Sequence, residues 1–391
     1  MTSKKIQTNP CSRRDFVLSS GAIVALCLIS CDKPVKKPAQ IKPILPDYIR
    51  VRIGKQLNKV QIGEHVYSSK SVGDNPKIVE IKPNTKVKVL GKTTMISGVI
   101  ALHTTNNKEK TIDVVAHVPI EQYLPGVLAG ELFAHWHFDT FAAQAIAARS
   151  YAATQHFARR RTSHYDVTDG PSSQMFLGNV TLDVAHRAVQ ETKGAVLTWN
   201  NRVVPAYYSA CCGGLAATAT DAISGAKQHN IPPLCGHRGK DFCTTLDIHK
   251  WTVKRSARVL RKRLNACANT LKIPELSTIR TIESIKPSAL NQHGRPTKII
   301  VVGRRGETNT IPAREFIRAM NAPIPSLPKI TDQAWSSFLA AQKVGASLQI
   351  NGFGMGHGVV LCQHGAQVLA GRGESWENIL SWYYPDASIR L

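Results

Sequence analysis

The chain has 391 residues, room for two or three domains with their own cores. A hydrophobic share of 43% and a charged share of 19% exclude a disordered chain. The formal net charge of +24, from 50 Lys and Arg against 26 Asp and Glu, favours polyanions: nucleic acid, anionic headgroups or acidic wall polymers. No recognition-helix or RNA-binding signature accompanies that charge.

The N-terminus reads as a targeting segment. Lys4, Lys5, Arg13 and Arg14 precede an apolar run over 16–29, about 14 residues and too short to span a bilayer comfortably. Ser12-Arg13-Arg14-Asp15-Phe16-Val17-Leu18 matches the twin-arginine export pattern, which carries folded proteins. Leu28-Ile29-Ser30-Cys31 resembles a lipobox, in which Cys31 is acylated after cleavage. Asp32 then resembles the signal for retention at an inner membrane. The expected location is therefore outside the cytoplasm, on a lipid anchor facing the periplasm, which counts against nucleic acid as partner. Residues 32–47 form a basic, Pro-rich tether whose lysines lie near headgroups and account for part of the charge.

From 48 to 117 the chain reads as strands. Segments 77–90 and 111–118 interleave Val and Ile with polar residues. Turn signals stand at Gly73-Asp74-Asn75-Pro76, Pro83-Asn84 and Thr105-Asn106-Asn107. Helical spacing with many alanines follows over 138–160, and a second helix is expected over 182–192. Residues 195–208 read as a hairpin around Asn200-Asn201. A basic helix is expected over 254–270, strands over 278–303 and 307–311, and a short helix over 314–320. A Gly-rich loop at 352–358, a helix over 363–370 and a helix over Trp376–Tyr383 close the chain. The class is mixed α+β, with an antiparallel β module before a helix-containing core over 118–391.

Three segments carry a family resemblance. They are VPIEQYLPGVLAGELFAHWHFDTFAAQAIAARSY at 118–151, VPAYYSACCGG at 204–214, and GFGMGHGVVLCQHGAQVLAGRGESWENILSWYYP at 352–385. Their order and spacing resemble the stage II sporulation protein D family, over most of 48–391. The resemblance implies a lytic transglycosylase that cuts peptidoglycan glycan strands stripped of their peptides. It puts the general acid/base, the Glu of a Gly-Val-x-x-x-Glu stretch, at Glu131. The chemistry is consistent with a single carboxyl group. A glycosidase normally needs two. A lytic transglycosylase uses the sugar's own C6 hydroxyl as nucleophile, so one Glu can donate the first proton and take the second. Leu128, Leu132 and Phe133 around Glu131 would bury it and raise its pKa.

The same resemblance marks Gln144 and Arg149 as residues that orient Glu131 or bind sugar, with a buried structural pair as the alternative, and Ser173, Gln174, His357 and Gln363 as substrate-binding residues. Val360 and Cys362 depart from the family's Gly-His-Gly-Val-Gly-x-Ser-Gln pattern, which has Gly and Ser there. A zinc near the site is known among relatives, and Cys212, Cys235, His237 and Cys243 are the expected ligands here, with His229 in reserve. A Cys235–Cys243 disulfide or free thiols are the alternatives. The zinc would shape the cleft; the chemistry requires no cofactor. Expected partners are glycan strands, the membrane through the anchor, and a wall amidase, since some relatives act as non-enzymatic amidase activators.

Overall fold

The computed structural model describes residues 44–105 and 110–391. The export segment, Cys31, most of the tether, and Asn106 and Asn107 lie outside the described residues.

The strand-rich stretch forms a seven-stranded sheet in the order β3-β2-β4-β5-β6-β1-β7. Its strands are β1 (Tyr48–Leu57), β2 (Lys59–Ile62), β3 (His65–Ser68), β4 (Lys77–Val89), β5 (Lys92–Thr104), β6 (Ile112–Pro119) and the short β7 (Val167–Thr168). All pairings are antiparallel except β7 along β1. Pro83-Asn84, expected as a turn, instead sits inside β4 as a bulge. The register slips between Ile81 and Thr85, and Asn84 takes a left-handed φ of 59°. Pro83 has no amide to give the ladder, and the bulge absorbs that loss.

Helix α1 (Ile120–Glu131) follows β6 directly. Glu131 is its last residue. The helix escaped sequence reasoning because Pro125, Gly126 and Gly130 are poor helix formers. Burial of Tyr123, Leu124, Val127 and Leu128 against the sheet holds it together.

Helix α2 (Phe138–Arg159) is the central element. Ala142, Ala145, Ala148 and Ala152 face the core under the sheet, and Ala143, Ile146 and Ala147 face a second core. A helix packed on both sides needs small side chains all round, which is why the alanines are so dense. Helix α3 (Asp183–Glu191) covers the first core. The second core holds β8 (Val196–Trp199), β10 (Tyr208–Ser209), β17 (Leu361–Cys362), α6 (Gln363–Gly371 below) and a last helix over Trp376–Tyr383. Asn200 and Asn201, at φ 48° and 59°, make the expected hairpin turn between β8 and β9 (Arg202–Val203).

A third core belongs to a six-stranded antiparallel sheet inserted between the second and third family segments. Its order is β11-β16-β15-β12-β13-β14. The strands are β11 (Lys250–Ser256), β12 (Ser284–Leu290), β13 (Pro296–Val302), β14 (Thr308–Pro312), β15 (Leu339–Val344) and β16 (Ser347–Phe353). One expectation is corrected here. Lys254 and Arg255 belong to β11, and the basic helix, α4 (Ala257–Ala266), begins only after Ser256, whose Oγ accepts the Val259 N–H. The alternation of β15 and β16 was not read from the sequence. Helix α5 (Ala313–Met320) packs on this sheet. Lys250 pairs with Phe353, so the insert enters and leaves at one place.

Candidate active site

Glu131 ends α1 beside the start of α6. The Met175 N–H donates to Glu131 Oε1 at 2.7 Å, and Gln363 Nε2 donates to Oε2 at 3.2 Å. Burial raises the Glu131 pKa above the usual carboxylate range; the two hydrogen bonds oppose this only in part. Each oxygen keeps a second lone pair, so one of them can still carry a proton toward a substrate. An aromatic lip stands next to it. Phe133 is exposed and tilts against Trp136 at 5.3 Å between ring centroids, and His364 packs edge-on to Trp136 at 4.9 Å. The run Phe133-Ala134-His135-Trp136 right after Glu131 was the available signal for it.

Gln174 is fully buried behind Glu131. Its Oε1 accepts the Tyr123 hydroxyl at 3.0 Å, and its Nε2 donates to the Tyr208 hydroxyl at 2.9 Å and to the Ala148 carbonyl at 3.2 Å. Gln174 therefore locks the 173–175 segment that delivers the Met175 N–H. Ser173 is half-buried and hydrogen-bonded to Tyr151. Gln144 is buried in α2, and neither amide atom has a hydrogen-bond partner among the described residues.

The structure puts Arg149 elsewhere. Its fully buried guanidinium spans both Glu121 oxygens at 2.9 and 2.8 Å and donates to the Ala195 carbonyl at 3.0 Å. It clamps α1, α2 and the entry to β8 together. Arg149→Met should therefore cost stability, about 3 kcal/mol, by leaving Glu121 unpaired. The denaturant midpoint checks this; an unchanged midpoint would contradict the clamp.

The Gly-rich loop runs behind this centre. Gly354 takes φ 78°, and a Cβ there would lie 2.6 Å from the Cys211 carbonyl oxygen, so only glycine fits. The Gly358 N–H donates to Ser209 Oγ at 3.1 Å. His357 Nδ1 accepts the Val359 N–H at 3.0 Å, and burial, with Arg295 nearby, lowers its pKa to about 4. Val360, where the family has Gly, sits at φ 53°, a strained conformation for a β-branched residue.

Cys362 and Gln363 are neighbours with different duties. Gln363 holds Glu131, whereas the Cys362 sulfur turns into a buried thiol group. Ligand atoms of Cys212, Asp241, Cys243 and Cys362 lie within 4.8 Å of one another. Cys212 Sγ is 3.7 Å from Cys243 Sγ and 3.8 Å from His237 Nε2, and His237 Nε2 is 3.3 Å from Asp241 Oδ2. Hydrogen bonds from Cys211, Cys212 and Cys362 drive the Cys243 thiol down, while burial drives Cys212 and Cys362 up. Burial also lifts Asp241 to about 7. Buried Arg295, on the turn between β12 and β13, reaches in and donates to the Cys212 and Leu215 carbonyls.

So three of the four expected metal ligands come together, and Cys235 does not. Gly236, at φ 84°, turns the chain between Cys235 and His237, and the Cys235 thiol donates outward to the Ile231 carbonyl at 3.4 Å. His229 is elsewhere too, its Nδ1 3.0 Å from the Tyr207 hydroxyl. Asp241 and Cys362 were missed; Cys362 had been noted only as a departure from the family Ser. The six cysteines of the described residues are free thiols.

The fold and site define a mixed α+β protein with a half-buried, donor-held carboxyl group, Glu131, close to a thiol cluster. The profile of the family described as stage II sporulation protein matches residues 108–199. An uncharacterised protein of Brachyspira hyodysenteriae is 28% identical over 282 residues, 71% of this chain and 68% of that protein. The amidase enhancer of Bacillus subtilis is 25% identical over 297 residues; the match covers 68% of this chain but only 40% of that protein. Stage II sporulation protein D of Bacillus subtilis is 23% identical over 343 residues, covering 82% and 86%. This chain carries the stage II sporulation protein match over 108–199 and is similar along most of its length to members of the stage II sporulation protein D family. No helix among the described residues is long and apolar enough to cross a membrane.

Proposed function

We propose that this protein is a peptidoglycan lytic transglycosylase, with Glu131 as its sole acid/base. The observation that carries this is the state of Glu131: half-buried, raised in pKa by desolvation, held at both oxygens, and with no second carboxylate among the groups acting on it. Protonated Glu131 gives its proton to the glycosidic oxygen as the C1–O bond breaks. The resulting carboxylate then takes the proton of the muramyl C6 hydroxyl as that oxygen bonds to C1, leaving a 1,6-anhydro ring. The single group ends as it began. Gln363 and the Met175 N–H aim the carboxyl, and the exposed ring of Phe133, backed by buried Trp136, offers a face for a pyranose ring. Mass spectrometry of products from peptide-stripped glycan tests the reaction type: anhydromuramyl ends are expected, and reducing muramyl ends would mean a hydrolase instead.

The acid must be protonated to start the cycle. Activity should therefore be level below the raised pKa of Glu131 and fall about tenfold per pH unit above it. The pH–rate profile of kcat/KM checks this, and a rate that rose with pH across that range would contradict it. The same shift means that the folded chain holds this proton more firmly than the unfolded one. The contribution of Glu131 to stability is thus present at low pH and lost as pH rises through its raised value.

The thiol cluster fits a structural zinc. A tetrahedron with bonds of about 2.3 Å has edges of about 3.8 Å, close to the 3.7 Å between Cys212 and Cys243. Cys212, Cys243 and Cys362 would hold it, with Asp241 or His237 fourth, and Arg295 offsetting the excess thiolate charge. Such an ion supplies a crosslink between the loop after β10, the 241–243 segment and the start of α6. Export by the twin-arginine route with a lipid on Cys31 completes the proposal, placing the enzyme at the wall. A second reading, a binding protein that activates a wall amidase, draws on the likeness to the amidase enhancer. Capture of an amidase by a chain that cleaves no glycan would favour it.

A further inference from the structure

Resting on the reading of the protein as a glycan-cleaving enzyme, we infer that a second cleft binds the glycan strand beyond the scissile bond and reads its free lactyl carboxylates. The cleft has a volume of about 740 Å³ and lies between α2, the β8–β9 hairpin and the 222–231 segment. No acidic side chain lines it. Arg159 and Arg202 stand in its wall, and neither guanidinium has an ion-pair partner among the described residues. Tyr151, Trp199 and Tyr207 supply aromatic faces, with Tyr151 and Tyr207 edge-on at 5.8 Å.

The cleft lies close to the Glu131 centre along the chain. Ser172 lines it, and Met175, whose N–H holds Glu131, is three residues further on, a span of at most about 10 Å. Tyr207 lines the cleft while Tyr208 beside it anchors Gln174. A strand leaving Glu131 past Ser173 therefore meets Tyr151 and the two arginines.

The chemistry names the ligand. A muramyl residue that has lost its peptide exposes a lactyl carboxylate; one that keeps its peptide has an amide there. Unpaired guanidinium groups favour the carboxylate by charge and by paired hydrogen bonds. Aromatic faces favour a pyranose over a plain polyanion. A groove without acidic residues, adjacent to a one-carboxyl centre, thus selects stripped strands by attraction.

Binding, measured by co-sedimentation with the full-length chain, tests this apart from cleavage. Three probes are needed: stripped glycan strands, the same strands with lactyl carboxylates converted to methyl amides, and polyglycerol phosphate. Wild-type protein should bind the stripped strands about tenfold more tightly than the amidated ones. The double substitution Arg159→Gln and Arg202→Gln should remove that difference and leave amidated strands unaffected. Trp199→Ala should weaken both. Arg202→Gln alone, at an exposed position, should give about a threefold loss if the double variant misfolds. Equal loss on both strands, no loss on either, or polyglycerol phosphate bound as tightly as stripped glycan would overturn the inference. Arginine-dependent binding without anhydromuramyl products would instead sink the transglycosylase reading and leave this one standing.

Discussion

Glu131→Gln is expected to reduce the release of anhydromuramyl ends by a hundredfold or more, within the range of about 10²–10⁴ that a positioned general acid/base contributes. The substitution keeps the shape and removes only the transferable proton. Its amide can still accept from the Met175 N–H through the oxygen, and its nitrogen faces Gln363, an easily reoriented partner. Folding should therefore survive, with a thermal midpoint at or above that of the wild type, because a buried ionisable group has been neutralised. Binding to stripped glycan should also survive, since the proposed contacts to the strand lie elsewhere. Retained product formation would rule Glu131 out as the acid. Lost binding would make the substitution uninformative about chemistry, and circular dichroism with co-sedimentation separates the two.

Removing the metal should produce the other large effect. The purified chain is expected to carry about one zinc, and a strong chelator or Cys243→Ser should strip it and lower the thermal midpoint by about 5–10 °C. Cys243 is the better target than Cys362. It is the thiol that its neighbours push toward the thiolate, and it lies outside the segment that holds Glu131. Cys235→Ser should change neither metal content nor midpoint, because Cys235 faces away. A metal-free chain whose midpoint ignores the chelator would leave a plain thiol cluster. Activity is a secondary readout, since Cys362 and Gln363 are adjacent and any shift of the first moves the second.

The sequence showed more of the elements than of their relations. Period-two strands and the alanine-rich helix were legible because each repeats one rule over many residues. Helix α1 was not, since Pro125 and two glycines argue against a helix that only burial sustains. The site itself was found through motif resemblance: nothing in the local sequence of Glu131 announces a hydrogen bond to a residue 232 positions away. Arg149, chosen from the same motif, forms a structural clamp instead, because a motif records a residue without recording what it touches. The expected ligand set and the thiol cluster differ for a related reason. Spacing suggested Cys235 and His237 together, but with left-handed Gly236 between them the Cys235 thiol bonds the Ile231 carbonyl while His237 meets Cys212.

The inserted sheet has a consequence for how such a protein can vary. Its first and last residues, Lys250 and Phe353, are paired neighbours, so the whole segment behaves as a plug-in part. It can be lengthened, shortened or exchanged without separating Cys243 from Cys362, as long as its two ends stay side by side. One feature constrains the exchange: the turn before β13 sends Arg295 into the thiol cluster. A replacement part that lacked an arginine at that turn would fit the socket yet leave the cluster's charge uncompensated. The insert is thus free in size and shape but tied to the rest of the molecule at its β12–β13 turn, where Asn291 and His293 meet the Ala216 and Cys235 carbonyls and Arg295 those of Cys212 and Leu215.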